Sequence, residues 1–323
     1  MTLSSWSRAV LVAIAASLLS VATAHAQGYP SKPIRIILPF PPGSATDSIA
    51  RLVGKDIADT LGQPVVIDNK PGAGGAIAAE FVAKSAPDGY TLMVASNTQL
   101  AANPSLYKTL SYNPVTDFAP VARLSTQPTA LLVRKDFPAK TLAEFVAYAK
   151  ANPKKLSAGY GASSSQIATA RLRTLSGIEV LDVPYKGIPA AVIDTISGTV
   201  DFTFGDLGAA IAQVKGGKLN ALAVTSLTRS PLTPDWPAAA ETYPGFEVIG
   251  WHAMVAPLGT PRDIRVKLSD ACAKALAKPE VVQALAALGV STAVMAPEEL
   301  GQYIPAQVKR WSELIKEAGI QPE

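Results

Sequence analysis

The residue types best suited to catalysis or metal binding are scarce in this sequence. Its 323 residues include two histidines, His25 and His252, and a single cysteine, Cys272. One cysteine excludes an intrachain disulfide framework and any cysteine-based zinc site. The sequence also lacks a paired-histidine metal motif, so we expect neither a metal nor a cofactor. His252 stands inside an apolar run, which favours a structural role.

Motifs for other common chemistries are missing as well. A Ser-His-Asp hydrolase would have to use His252, yet the sequence has no G-x-S-x-G elbow. It has no phosphate-binding G-x-x-x-x-G-K-[ST] loop, and its nearest dinucleotide fingerprint, at 72–75, has Ile77 where the last glycine belongs. The 25 acidic residues permit many carboxylate pairs, but no spacing singles one out. The sequence therefore favours a protein that is not an enzyme.

The N-terminus predicts an export signal. Arg8 precedes an apolar run from Ala9 to Val21, and a small-x-small cleavage pattern follows at 24–26. The run is too short to span a bilayer comfortably. We expect a Sec-type signal peptide over residues 1–26, cleaved after Ala26, and a periplasmic protein. Removing 26 of the 323 residues leaves 297 and takes away one arginine, which lowers the net charge from +4 to +3.

Composition predicts well-formed hydrophobic cores. Hydrophobic residues make up 48% of the chain and charged residues 17%, which argues against intrinsic disorder. Basic residues are spread out, and their densest group is Lys150, Lys154 and Lys155 at the end of a helical pattern. We therefore expect no nucleic acid partner.

Strands, loops and helices alternate along the chain. The β-rich run 34–38 precedes a Pro- and Gly-rich loop, and the helical period from Ile49 to Leu61 ends at Gly62. Further strands are expected at 65–67, 90–95, 131–133, 201–204 and 219–225. Further helices are expected near 77–82, from Thr141 with a capping box to Glu144, at 167–175, at 209–214, after 260–263, and at 300–315 with Pro305 as a kink. This alternation predicts an α/β fold with mostly parallel sheets.

Ligands of such folds bind at the carboxyl ends of the strands. The loops expected there, at 39–46, 69–75, 96–98 and 159–166, are rich in Gly, Ser, Thr, Asn and Pro and poor in Arg, Lys and His. Several lead directly into a helix, whose first N–H groups favour an anion. Each loop alone could be ordinary turn chemistry. Together they predict a site that holds and releases a carboxylate and does not break bonds.

Long motifs extend over almost all of the chain from Tyr29 to Gly319. They are Tyr29–Gly43, Asn69–Gly75, Ala86–Leu92, Val183–Gly187, Gly198–Asp201, Gly217–Thr225 and Ala256–Pro261. In these motifs the sequence resembles the Bug receptors of the bacterial periplasm, the substrate-binding components of tripartite tricarboxylate transporters.

The resemblance implies a two-lobed periplasmic binding protein fold, type II-like, with a ligand cleft between lobes joined by two crossovers. Lobe one would comprise 27–125 and 248–323, and lobe two 126–247. The protein would act as a monomer that captures a small carboxylate-containing solute and presents it to the integral membrane permease subunits of the transporter. The alternatives are a ligand sensor that signals to a membrane kinase and, less favoured, an exported α/β hydrolase.

The resemblance also implies a set of substrate-binding residues. They are Phe40, Pro42, Gly43, Ser44 and Asp47 in the first loop, Ser96, Asn97 and Thr98 after the third strand, Ser163, Ser164, Ser165 and Gln166 in lobe two, and Asp206 at a strand end. Two of them have alternative roles, because Phe40 could anchor its turn and Asp47 could cap its own helix.

Three of these positions depart from the family pattern. Ser44 stands where the family often has a second glycine, and Gln166 falls where a histidine is common. The usual strand-end aspartate is replaced by Gly205, which leaves Asp206 one position on. These changes leave the fold expectation intact but prevent the transfer of any particular ligand. The missing histidine is compatible with an aromatic acid.

Overall fold

The computed structural model describes residues 28–322, so the expected signal peptide lies outside the described residues. Within this range there are ten strands and ten α-helices. The strands are β1 (Ile34–Leu38), β2 (Val65–Asn69), β3 (Thr91–Ser96), β4 (Phe118–Arg134), β5 (Ser157–Tyr160), β6 (Leu181–Pro184), β7 (Phe202–Asp206), β8 (Leu219–Val224), β9 (Ile249–Pro257) and β10 (Ser291–Met295). The helices are α1 (Ala45–Leu61), α2 (Ala76–Ala83), α3 (Asn103–Leu106), α4 (Leu142–Ala151), α5 (Ser163–Ser176), α6 (Ile188–Ser197), α7 (Leu207–Lys215), α8 (Arg262–Ala277), α9 (Pro279–Ala287) and α10 (Pro297–Glu317).

Local capping chemistry sets several helix ends where the sequence predicts them. The Ser44 hydroxyl accepts the Asp47 N–H at 3.2 Å and begins α1, and Gly62 ends it with a left-handed φ of 69°. The Thr141 hydroxyl accepts the Glu144 N–H at 3.1 Å and begins α4. The Thr141 cap and the helix end at Gly62 confirm the sequence predictions. The cap of α1 differs from them, because Ser44 and not Asp47 precedes the helix and accepts its N–H.

The strands form one continuous sheet with two halves that share β4. The order is β2-β1-β3-β9-β4-β7-β5-β6, and β8 and β10 also pair with β4. Residues 118–128 of β4 pair with β9, whereas residues 129–134 pair with β7 and β8. We call the half with β1, β2, β3, β9 and β10 the first lobe, and the half with β5, β6, β7 and β8 the second lobe.

The expectation of mostly parallel sheets is wrong, because the sheet is mixed. The pairs β1–β2, β1–β3, β5–β6 and β5–β7 are parallel, as helical connections between strands require. The pairs that β4 and β9 form are antiparallel. The antiparallel pairs arise because β4 and β9 lie in the middle of the sheet and run opposite to the strands beside them.

Helices cover the sheet of each lobe. Helices α1, α2, α8 and α10 contact strands of the first lobe, and α5, α6 and α7 contact strands of the second. One large buried cluster runs through both lobes and includes Phe145, Phe202, Trp251 and Trp311. A smaller apolar cluster lies in the second lobe around Leu132, Val192 and Leu207. No helix within residues 28–322 is both long and apolar enough to cross a membrane.

Candidate functional site

A narrow cavity lies at the strand ends where the two lobes meet. We call it the inner cavity; its volume is about 30 Å³. Its lining comes from α1 and the loop before it, β3, β4, β9, and the starts of α5, α6 and α7. The residues are Phe40, Ser44, Ala45, Thr46, Ser96, Asn97, Gln127, Thr129, Ala162, Ser164, Ile188, Asp206, Gly250 and His252.

Four helices begin at the inner cavity. Ala45 is the first residue of α1, Ser164 lies in the first turn of α5, Ile188 begins α6, and Asp206 directly precedes α7. The first N–H groups of a helix lack partners within it and carry a partial positive charge. Among the described residues that line this cavity, none is a lysine or an arginine. Positive potential at the cavity therefore comes from backbone and hydroxyl groups.

Asp206 bridges the two lobes inside the cavity. Its carboxylate, at the end of β7, accepts the Ala45 N–H of α1 and the Gln127 Nε2 group of β4, the latter at 2.7 Å. Burial raises the pKa of Asp206 to about 6, against the smaller opposing effect of these two hydrogen bonds. Gln127 Oε1 is buried and has no hydrogen-bond partner among the described residues.

His252 belongs to the cavity wall, although the sequence favours a purely structural role. It lies in the middle of β9, and its Nδ1 is 3.1 Å from the Ser125 hydroxyl. Burial lowers the pKa of His252 to about 4, so the imidazole is neutral at physiological pH. It offers the cavity a neutral polar edge and no positive charge.

Asn97, Thr98 and Ser163 form a polar cluster that joins the lobes. Asn97 Nδ2 donates to the Ser163 hydroxyl at 2.9 Å, and the hydroxyl oxygens of Thr98 and Ser163 are also 2.9 Å apart. Asn97 Oδ1 accepts the Trp251 N–H at 3.2 Å. All three residues of the cluster are at most 3% exposed. Polar groups expected to contact a ligand are thus bonded to one another across the lobes.

A second, larger cavity adjoins the inner one. This outer cavity has a volume of about 330 Å³ and shares Phe40 and Ala162 with the inner cavity. Its lining combines aromatic, small and polar residues: Phe40, Gly72, Ala73, Gly74, Thr98, Asn103, Leu106, Tyr107, Tyr160, Gly161, Ala162, Ser163, Gln166, Pro184, Tyr185, Lys186, Ile320 and Gln321. Lys186 is the one lysine or arginine among these described residues. Asn103 is fully buried, and its Oδ1 has no hydrogen-bond partner within residues 28–322.

Most of the residues expected at the site line one of the two cavities. The inner cavity is lined by Phe40, Ser44, Ser96, Asn97, Ser164 and Asp206. The outer cavity is lined by Phe40, Thr98, Ser163 and Gln166. Pro42, Gly43, Asp47 and Ser165 lie in neighbouring segments but line neither cavity.

Asp47 and Ser165 instead hold the loops in shape. The Asp47 carboxylate accepts hydrogen bonds from the Gly43 N–H, Asn69 and Arg51, each at 3.1 Å. Burial by itself would raise the pKa of Asp47, but these bonds outweigh burial and hold it below its usual value. The Ser165 hydroxyl accepts the N–H groups of Gly161 and Ala162 at 3.2 and 3.3 Å.

Helix α5 starts earlier than the sequence predicts. It begins at Ser163 and not near Ile167, so the expected serine loop forms its first turn. Serine hydroxyls in the first turn of a helix can accept hydrogen bonds from free N–H groups at the helix start. The Ser165 hydroxyl does so for Gly161 and Ala162, the two residues just before α5. The early start places Ser164 at the inner cavity and leaves Gln166 at the outer one.

The sequence interpretation missed Gln127, Thr129 and His252 as cavity residues. All three lie on β4 or β9, the long central strands, of which the sequence pattern predicted only residues 131–133 of β4. One signal in the sequence could have indicated Gln127 and Thr129. It is the short polar stretch at 125–129 between apolar segments, which lies where the chain is expected to pass from lobe one to lobe two. No cluster of three or more His, Cys, Asp or Glu residues that could hold a metal occurs in the part of the chain that the structure describes.

Comparison with known proteins identifies the family. The model of the tripartite tricarboxylate transporter family receptor matches residues 49–320. The protein BugT of Bordetella pertussis is 35% identical over 302 residues, which cover 92% of this chain and 93% of BugT. The adipate-bound protein Rpa4515 of R. palustris has a TM-score of 0.89 at 33% identity and covers 91% of this chain and 100% of its own. MatC from Rhodopseudomonas palustris, solved with bound malate, has a TM-score of 0.84 at 35% identity, with coverages of 89% and 100%.

The chain therefore belongs to the tripartite tricarboxylate transporter receptor family and is a Bug-type receptor with the two-lobed fold of periplasmic binding proteins. It is a solute-binding receptor and not an enzyme. As a receptor of this family it works with a small-molecule ligand and a membrane permease.

Proposed function

We propose that this receptor captures a small solute through a carboxylate, which binds in the inner cavity, and presents the closed complex to its permease. The observation that carries the proposal is the meeting of four helix N-termini from both lobes around a cavity without lysine or arginine. Backbone N–H groups and hydroxyls at helix starts suit a carboxylate. They bind it without the strong pairing that a buried arginine would supply, which suits release.

The outer cavity receives the rest of the solute. Its 330 Å³ volume is in the range of small-molecule pockets, whereas the inner cavity is about the size of one carboxylate group. Its wall of Phe40, Leu106, Tyr107, Tyr160 and Tyr185 suits an apolar or aromatic body. Lys186 adds a charge that can pair with a second carboxylate. Adipate and malate, the ligands of the two neighbours from Rhodopseudomonas, are both dicarboxylates.

The pairing of the central strands supports the lobe limits that we propose. Residues 118–128 of β4 pair in the first lobe and residues 129–134 in the second, close to the expected limit at 125/126. Strand β9 begins at Ile249, next to the expected limit at 247/248. We place lobe one at 27–125 and 248–323 and lobe two at 126–247.

Processing and assembly complete the proposal. The protein is exported with a Sec-type signal peptide, is cleaved after Ala26, and acts in the periplasm as a monomer. Mass spectrometry of the exported protein would show a mature N-terminus at Gln27, and light scattering would give the mass of one chain. Another N-terminus would contradict the cleavage site, and a dimer mass would contradict the monomer.

A thermal-shift screen tests the carboxylate. The panel contains mono-, di- and tricarboxylates, both aliphatic and aromatic, with sugars and amines as the comparison set. A ligand at a hundred times its dissociation constant adds roughly 2.7 kcal/mol to the free energy of unfolding. We expect at least one carboxylate to raise the melting temperature. A response to sugars or amines alone would contradict the proposal.

A further inference from the structure

The inner cavity contains a carboxylate of its own. Asp206 accepts the N–H of Ala45, the first residue of α1, so this side chain already occupies an anion position at a helix start. A solute carboxylate placed beside an ionised Asp206 would meet a like charge in a site shielded from water. The inner cavity therefore favours a solute anion only when Asp206 is neutral.

The surrounding charged groups do not neutralise Asp206. On α1, Asp47 and Arg51 pair with each other outside the cavity lining. On β4, Arg123 donates to the Ala293 carbonyl and Arg134 pairs with Asp136 and Asp201.

The remaining neighbouring elements add no cation to the inner cavity. On β9, His252 is neutral at physiological pH. Lys186, before α6, lines the outer cavity, and Asp194 of α6 accepts a hydrogen bond from Tyr185. Lys215 lies in the last turn of α7, at the opposite end from Asp206, and the first turn of α5 is uncharged. In the described part of the chain, the neutralising partner left for Asp206 is a proton from solvent.

Gln127 is arranged to respond to that proton. Its Nε2 group now donates to Asp206 at 2.7 Å, while its buried Oε1, in a side chain only 3% exposed, has no partner among residues 28–322. A protonated Asp206 can donate its hydroxyl to Oε1 once the amide turns over, which satisfies the buried acceptor. The same turn releases the Gln127 NH₂ group to donate to a solute carboxylate.

We propose that capture of a carboxylate by this receptor is coupled to the uptake of one proton from solvent by Asp206, with Gln127 switching its hydrogen bond from Asp206 to the solute. This inference rests on the proposed carboxylate function. Release of the solute at the permease then returns the proton to solvent. With its pKa raised to about 6 by burial, Asp206 is mostly ionised near neutral pH before binding, so uptake is measurable there.

Calorimetric titration tests the coupling with three probes: acetate, malate and adipate. Titrations run between about pH 6.5 and pH 8.5, where the probes' own carboxylates stay ionised. At about pH 7.5, buffers of different ionisation heat report the protons taken up per probe bound. We expect wild type to take up close to one proton for each probe molecule bound. Its affinity for the probe should fall by up to about tenfold for each unit that the pH rises.

Asp206→Asn and Asp136→Asn provide the matched comparison. Asparagine at position 206 keeps an acceptor for the Ala45 N–H and carries no charge. Asp206→Asn should therefore take up no proton, and it should bind the probes more tightly than wild type at about pH 8.5. Asp136 is 81% exposed outside both cavities, so its variant should behave as wild type. Circular dichroism confirms that both variants are folded.

The outcomes separate this inference from the proposed function. Binding of a probe to wild type without proton uptake, and with the same affinity across the pH range, would overturn the coupling and leave the carboxylate function standing. If none of the three probes binds to wild type or to Asp206→Asn at any pH, while an amine or a sugar binds, both proposals fail.

Discussion

The hydroxyl oxygens of Thr98 and Ser163 lie 2.9 Å apart, although 65 residues separate them in sequence. Thr98 lies two residues after the end of β3 in the first lobe, and Ser163 is the first residue of α5 in the second. The Ser163 N–H also donates to the Thr98 hydroxyl at 3.2 Å. The pair is therefore a direct polar connection between the lobes at the border of the two cavities.

Replacing Ser163 by alanine should weaken this connection. The change removes the buried acceptor of Asn97 Nδ2 and leaves the Thr98 hydroxyl with the Ser163 N–H but not the Ser163 hydroxyl, and an unsatisfied buried group typically costs about 1–3 kcal/mol. We expect urea denaturation to show a loss of this size, and carboxylate-induced thermal shifts to shrink with it. Ser164→Ala, one residue along the same turn and outside this cluster, is the control for stability. Equal stability of wild type and Ser163→Ala would contradict a role for the hydroxyl in joining the lobes.

The local elements of the fold could be predicted because their signals are local. The strand at 34–38, its Pro- and Gly-rich loop, the helix end at Gly62 and the helix cap at Thr141 all depend on neighbouring residues. The strand end at Asp206 could be recognised for the same reason, since a run of β-forming residues stops there. Phe40, Ser44 and Asp206 lie on or next to such elements and line the inner cavity, and their contact with a ligand stays a prediction.

Beyond residues 131–133 of β4, the long central strands could not be predicted because their stability is not local. Strand β4 contains Pro120 and Pro128 and alternates polar with apolar residues irregularly, and its pairing partners lie far away in sequence. Without it, neither the position of Gln127 nor its hydrogen bond to Asp206 could be inferred. The outer cavity could not be inferred for a similar reason, since Gly72 and Lys186 meet only in the folded chain.

A side chain at position 74, in the glycine-rich loop 72–75 at the outer cavity, should cost stability. Gly74 has a φ of 57°, and a Cβ there would collide with the Tyr107 hydroxyl. Gly62 has a similar φ of 69°, but a Cβ added there would have no atom within 4 Å. Both alanine variants suffer a similar backbone strain of about 1–2 kcal/mol, so their difference isolates the collision. We expect Gly74→Ala to be the less stable variant in urea and to lose binding of the larger carboxylates, while Gly62→Ala keeps it. Equal behaviour would show that Tyr107 gives way freely.

Lys186 should favour dicarboxylates over monocarboxylates. It is the one lysine or arginine among the described residues of either cavity, and it is exposed, so its pairing energy is limited to about 0.2–1 kcal/mol. We expect Lys186→Met to lower the affinity for a dicarboxylate by up to about fivefold in calorimetry, with little effect on a monocarboxylate of similar length. The preference should fade at high salt because exposed charges are screened. Lys55→Met, an exposed position on α1, is the control, and equal losses for both ligand types would contradict the assignment.

Asp206→Asn should stabilise the free receptor at neutral pH. The folded pKa of about 6 lies above the ordinary value of 3.8, so the folded state binds more protons between about pH 4 and pH 6. The stability contributed by Asp206 therefore falls as pH rises through this window, by about 3 kcal/mol in total. Urea denaturation should show the variant more stable than wild type by up to that amount at about pH 7.5, with the advantage lost near pH 4. A constant difference across pH would contradict a buried, titrating Asp206.

His252→Asn should have the opposite pH dependence. The folded pKa of His252, about 4, lies below its ordinary value of 6.5, so the unfolded state binds more protons between these values. Wild type therefore loses about 3 kcal/mol of stability from this residue as pH falls from about 6.5 to 4, and the variant does not. The smaller asparagine side chain costs packing at every pH, so the informative quantity is the change in the stability difference with pH. Urea denaturation at about pH 7.5 and pH 4.5 should show the variant gaining on wild type at the lower pH, opposite to Asp206→Asn. A difference that stays fixed between the two pH values would mean that folding leaves the pKa of the imidazole unchanged, which would contradict the lowered pKa.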